Sequence, residues 1–176
     1  MRNSYARTVL FLLAVIFLSS CGYGFSGRGL LVPQEVRTIA IPAFLNNTNE
    51  PYVDSEVTRA VVNEFMTDGR LTVLERDAAE LALNGTVVQY DVTALSYTAD
   101  SYVQQYSVRL VVDASLVDLR TGTVLWQERG IAAIFISDYP VTVGDIKTTK
   151  VAKEAAIKKA SQDIAWTLRS RVLEGF

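Results

Sequence analysis

The stretch YVQQYSVRLVVDASLVDL, residues 102–119, decides the fold. Its side chains alternate. Tyr102, Gln104, Tyr106, Val108, Leu110, Val112, Ala114 and Leu116 fall on one face of an extended strand, mostly apolar. Val103, Gln105, Ser107, Arg109, Val111, Asp113, Ser115 and Val117 fall on the other, which is mixed. Period-two alternation with one apolar face marks an antiparallel strand packed on a core from one side. Flanking it are GTVVQYDVTALSYT, starting at Gly85, and TVLWQERGIAAIFIS, starting at Thr123. Ala99-Asp100-Ser101 and Thr121-Gly122 supply the turns, so the three runs form a long meander. Gly130 is placed to make a bulge in the last of them.

Upstream, VRTIAIPAF is a strand ended by Pro42, and LNNTNEPY is a turn-rich loop. A helix follows, with Asp54 or Ser55 as cap and Val57, Ala60, Val61 and Phe65 on its apolar side. Gly69 stops it. RLTVL is a short strand, and ERDAAELALNG a helical turn or loop. Downstream, DYPVTVGDIKTT reads as a loop. A final helix runs from about Thr149 to Leu173. Ile157, Ala160, Ile164, Leu168 and Val172 line its buried side, with Val151 and Ala165 nearby. Lys153, Lys158, Lys159, Asp163, Arg169 and Arg171 are assigned mostly to solvent. The expected fold is α+β, a two-layer sandwich. Two helices pack on one face of a mixed, mostly antiparallel sheet of four to five strands.

The chain opens MRNSYARTVLFLLAVIFLSSCGYGF. Arg2 and Arg7 precede an unbroken apolar run, Val9 to Leu18. That run is shorter than the roughly 20 residues a bilayer span needs, and it has the parts of a secretory leader. Leu18-Ser19-Ser20-Cys21 resembles the bacterial lipobox. The resemblance implies cleavage before Cys21 and a diacylglycerol on its thiol, with an N-acyl chain (palmitate) on its new amine. Two or more chains anchor stably where one does not. The expected organisation is a signal peptide over 1–20, a lipidated tether over 21–34 and one α+β domain over 35–176. Gly22 follows the cysteine where Asp would favour inner-membrane retention in enteric bacteria, so outer-membrane attachment at the periplasmic face is expected.

The chain has 17 basic and 19 acidic residues and no histidine. Without the leader the balance is 15 against 19, a net charge of −4, which offers no basic excess for nucleic acid. The missing histidine removes Ser-His-Asp and Cys-His catalysis and the commonest metal ligand. Cys21 is the single cysteine, so intrachain disulfides and thiolate metal sites are excluded. Asp113 and Asp118 lie on opposite strand faces by parity and make a poor catalytic pair. No enzyme, metal or dissociable cofactor is expected.

The lipobox running into CGYGF, the strand RTIAIPAFLNNTNEP, the helix VTRAVVNEFMTDGRL, the paired strands and the last helix together resemble the lipopolysaccharide-assembly lipoprotein family, LptE. The similarity spans nearly the whole mature chain and rests on order and texture. It implies a non-catalytic domain that sits as a plug in the lumen of the LptD β-barrel of a Gram-negative outer membrane. There it assists barrel assembly and delivery of lipopolysaccharide to the outer leaflet. It also implies lipopolysaccharide binding at one end of the domain, near strand-connecting loops and the start of the last helix. The turn at Ala99–Ser101 carries Asp100 and no base. The segment Ile146–Lys153 carries Lys147, Lys150 and Lys153, placed to meet phosphates as point charges. Tyr97, Tyr102, Gln104 and Tyr106 are expected at the partner interface, where tyrosine supplies area with a polar handle. The alternative reading is another envelope lipoprotein module, a secretion-channel subunit or an activator of wall synthesis.

Overall fold

A computed structural model describes residues 32–33, 35–133 and 137–174. The leader, the lipobox with Cys21 and nearly all of the tether lie outside the described residues. The elements in order are β1 (Thr38–Ala40), β2 (Leu45–Asn46), α1 (Val53–Asp68), β3 (Thr72–Val73), a 3-10 turn (Arg76–Ala78), β4 (Leu81–Tyr97), β5 (Val103–Asp118), β6 (Thr123–Ala132), β7 (Ser137–Pro140) and α2 (Ile146–Glu174). Two helices lie on one face of a mixed sheet, as expected for the α+β class. The seven strands occupy five lanes, because β2 continues the lane of β1 along β4, and β7 continues that of β6 along β5. Strands β1, β2 and β3 pair in parallel, while β4 to β7 pair antiparallel.

The face read from residues 102–119 holds where it meets the helices. Val108, Leu110, Val112, Ala114 and Leu116 are all buried. Of these, Leu110 to Leu116 meet Val57, Val61 and Phe65 of α1 and Ile157, Ala160, Ile164, Leu168 and Val172 of α2 in one core, while Val108 belongs to a smaller cluster beside it. Fully burying such an aliphatic side chain stabilises by about 1.5–3 kcal/mol. At Gly85 the sheet admits the Phe44 ring so closely that no β-carbon fits: one built there would lie 2.5 Å from Phe44 Cζ. The helical pattern places Arg169 toward solvent, but its side chain is only 14% exposed. It bridges Glu64 and Asp68 of α1 and Glu174 of its own helix, at 2.9, 3.3 and 3.1 Å.

Several boundaries differ from the sequence reading, each for a local reason. Strand β4 begins at Leu81 rather than Gly85, since Leu81, Ala82 and Leu83 are buried beneath the helices. The cap of α1 is Tyr52, in a left-handed conformation with φ 66°, and not Asp54 or Ser55. Gly69 ends α1, also left-handed, donating its N–H to Phe65 O at 3.1 Å. Asp138–Pro140 is strand, not loop: Tyr139 turns inward opposite Tyr106. Helix α2 starts at Ile146 rather than Thr149, because Asp145 caps it. Its carboxylate accepts from the Thr148 N–H at 3.0 Å and the Thr148 hydroxyl at 2.6 Å. Val151 is exposed.

Register shifts interrupt the meander at five places, and two of them bear on the packing. At Gly130, with φ 72°, Arg129 and Gly130 together face Asp113, whose carboxylate accepts the Gly130 N–H at 2.8 Å. At Val88 the register slips by one against β5, since Val87 pairs Val112 while Gln89 pairs Val111. The slip exchanges the faces of β4. Leu81, Leu83 and Val87 point to the helices before it, and Tyr90, Val92 and Ala94 share that face after it.

Candidate functional site

Beyond the Val88 bulge, β4 and β5 extend past the main core. A satellite cluster closes the space beneath them: Val108, Tyr139 and Ala156 are buried, with Tyr90, Tyr106 and Ala152 partly so. The small side chains of Ala152 and Ala156 let α2 approach the tyrosines. Tyr106 and Tyr139 pack with centroids 5.5 Å apart and planes tilted by 35°, a favourable aromatic arrangement. Burial pushes both the Tyr139 and Tyr90 hydroxyls up from their ordinary range.

Next to this cluster lies a cavity of about 640 Å³ between β5, β7 and the first turns of α2. Its apolar wall is Val103, Val141, Val143 and Ile146, with Tyr102, Tyr106 and Tyr139; Lys150 and Lys153 stand on the helix side. Val143 and Ile146 are 83% and 86% exposed, and Tyr102 69%, a concentration of uncovered apolar surface at one end of the domain. Exposed apolar groups grouped beside charges mark a binding surface for an amphiphile or a partner. The loop Val141–Asp145 is held in place. Thr142 donates its N–H to the Thr149 hydroxyl at 3.0 Å, and Val141 donates its N–H to Gln104 O at 2.8 Å.

The residues singled out from the sequence fall as follows. Tyr102, Tyr106, Lys150 and Lys153 share the cavity wall. Lys147 is exposed on the first turn of α2 outside the lining. Tyr97 lies opposite Val103 at the hairpin end and is 59% exposed. Gln104 is exposed, its carbonyl holding the β7 extension. The lysines are not equivalent. Lys150 is open, with Glu154 at 3.9 Å and both side chains well exposed. Lys153 is held: its Nζ lies 2.8 Å from Glu50 and 5.6 Å from the Tyr90 ring centre. The Asp145 cap already takes up donors at the α2 N-terminus, and those bonds keep its carboxyl below the usual range. An incoming anion therefore meets lysines rather than bare helix amides.

Sequence reasoning missed Tyr139, Val141, Val143 and Ile146. Their signal was the alternation Tyr139, Val141, Val143, hidden by Pro140 and Gly144. Asp113 and Asp118 do not converge. Asp113 serves the Gly130 bulge, and Asp118 is buried against Arg120 at 2.8 Å. Among the described residues no group of three or more His, Cys, Asp or Glu is placed to hold a metal, and no helix is long and apolar enough to cross a membrane.

Comparison with solved structures gives the same fold at low identity. Lipoprotein B from Nitrosomonas europaea matches with a TM-score of 0.55 and 16% identity, over 86% of this chain and 92% of that one. A lipoprotein from Caulobacter crescentus matches at 0.53 and 12%, over 75% and 86%. The rare lipoprotein B from Shewanella oneidensis matches at 0.50 and 16%, over 77% and 92%. No curated protein matches in sequence. The family model described as lipopolysaccharide-assembly, LptE, matches residues 36–172, from the start of the core to the last buried turn of α2, and the chain belongs to that family.

Proposed function

We propose that the chain is an outer-membrane lipoprotein, anchored through acyl chains on Cys21, that seats as a plug in the LptD β-barrel. In that position it assists barrel assembly and passage of lipopolysaccharide to the outer leaflet. Family membership supports the pathway. The observation that carries the site is the union, in one cavity, of uncovered Val143 and Ile146 with Lys150 and Lys153. Lysines meet phosphates as point charges, and the apolar wall takes the first segment of an acyl chain. Among the described residues the opposite sheet face bears no helix. There a polar cleft of about 480 Å³, with Arg76, Asn84, Thr86, Asp113, Gln127 and Arg129 in its lining, suits the polar interior of a barrel.

Two measurements test this reading. Affinity capture of the chain from solubilised outer membranes is expected to bring down the barrel in equal amount. Titration with fluorescent bisphosphorylated lipid A is expected to saturate, and K147E/K150E is expected to weaken binding at least tenfold. Recovery of the chain without the barrel, together with binding that ignores the charge reversal, refutes the reading.

A further inference from the structure

The Asn-rich segment LNNTNEP, residues 45–51, is built as a rigid shelf under Glu50. Asn46 Oδ1 accepts from the Thr48 N–H at 2.9 Å and the Thr48 hydroxyl at 2.7 Å, and the Glu50 N–H reaches Thr48 Oγ1 at 3.2 Å. Asn46 Nδ2 donates to Glu50 O at 2.8 Å. Asn47 donates its N–H to Val87 O at 2.9 Å, fixing the shelf to β4 just before the bulge. All the bonds to Glu50 within the loop are to its main chain. Its carboxylate is left for a residue far along the chain, Lys153, at 2.8 Å.

The Lys153–Glu50 pair joins two spaces, Lys153 lining the first and Glu50 the second. On one side is the apolar cavity; on the other is a shallow polar pocket of about 300 Å³ lined by Thr48, Glu50, Gln89, Tyr90 and Asp91. The Lys153 side chain is 32% exposed and that of Glu50 19%, so the pair is shielded but not sealed. Carboxylate and phosphate oxygens make the same charge-assisted bond to an ammonium. We propose that Glu50 is an internal counter-anion for Lys153, which a phosphate of the amphiphile bound in the cavity must displace. Lys147 and Lys150 are open to a first contact. Lys153 changes partner only when phosphate enters, and Glu50 retakes it as the ligand leaves. Such an exchange tempers affinity and keeps the Lys153 charge paired in either state. A subsite that hands its ligand onward needs that property.

This inference rests on the lipopolysaccharide reading of the cavity, and the test separates the two. The full chain, purified in detergent, is titrated with fluorescent bisphosphorylated lipid A as wild type, E50Q, K153M and E50Q/K153M. Thermal midpoints report folding; E50Q keeps the side-chain shape and leaves the main-chain bonds of the shelf untouched. E50Q is expected to bind about fivefold tighter, the gain from releasing a partly shielded ion pair. That gain is expected to vanish in the K153M background. Saturable binding by wild type with E50Q unchanged or weaker overturns the role of Glu50 and leaves the cavity standing. A gain that persists without Lys153 also overturns it. No saturable binding by any form overturns both.

Discussion

Replacing Gly85 by alanine tests the closest approach in the core. A β-carbon at this position meets the Phe44 ring, 2.5 Å from Cζ and nearer to two other ring atoms. Carbon contacts relax only at about 3.5–4.0 Å, so the ring must retreat by about 1.5 Å. It has little room, being 2% exposed and part of the main core. Overpacking of this kind costs about 1–3 kcal/mol, and expelling the ring altogether would cost about 3–5. Alanine returns about 0.5–1 kcal/mol, because glycine is unfavourable in a strand. With the overlap this severe the cost lies at the upper end of the overpacking range, and the net expectation is a loss of about 2 kcal/mol, or about 8 °C in thermal midpoint for a domain of this size. Circular dichroism melts of wild type, G85A, F44L and G85A/F44L form the assay. The smaller leucine is expected to relieve the overlap, giving a coupling of about 1.5 kcal/mol or more. A midpoint for G85A within about 2 °C of wild type, or an equal loss in the F44L background, refutes the reasoning.

Asp118 is held at about 2, below its ordinary 3.8, chiefly by the hydrogen bonds from the Arg120 side chain. A depressed carboxyl contributes stability that is present above its unfolded value and lost as pH falls through the folded one. The acid limb of a denaturation series is therefore expected to lose part of its slope between about pH 4 and 2 in D118N, and an identical profile counts against the pair. R169A leaves Glu64 without its partner and leaves Asp68 and Glu174 to Arg70 alone where α1 meets α2. Urea titration is expected to show about 1.5–3 kcal/mol lost, partly restored at low pH as those carboxylates protonate. V143S/I146S removes two uncovered apolar side chains from the cavity wall. It is expected to weaken lipid A binding about tenfold while leaving the thermal midpoint unchanged; a fall in the midpoint instead would make these residues part of the core.

The legible parts of the fold were those fixed by period. Val108 to Leu116 alternate without interruption, and Ile157 to Val172 recur at helical spacing, so the two layers and their facing surfaces followed directly. The Val88 slip was not legible. Val87 and Val88 are both apolar, and either satisfies the alternation until β5 is laid beside them. Strand β2, two residues long, depends wholly on its pairing with Thr86 and Val87. Strand β7 carries Pro140, which suits an edge but reads locally as a loop. In the site, the lysines were visible from the start of α2, whereas the partner that separates Lys153 from Lys150 sits 103 residues earlier. No local pattern announces an ion pair across that distance. The Asn-rich loop was noticed for its turn residues; its purpose as a support for Glu50 required the third dimension.

The slip at Val88 carries a consequence for how this domain tolerates change. Proximal to it, β4 and β5 are bound to the helices and cannot alter by one residue without turning the core inside out. Distal to it, the ribbon can gain or lose residues two at a time on each strand, with its inward and outward sets preserved. The outer end of the hairpin is thus free to lengthen, shorten or exchange its tip while the body beneath keeps its sequence constraints. One unpaired valine divides a single pair of strands into a conservative foundation and an adjustable reach.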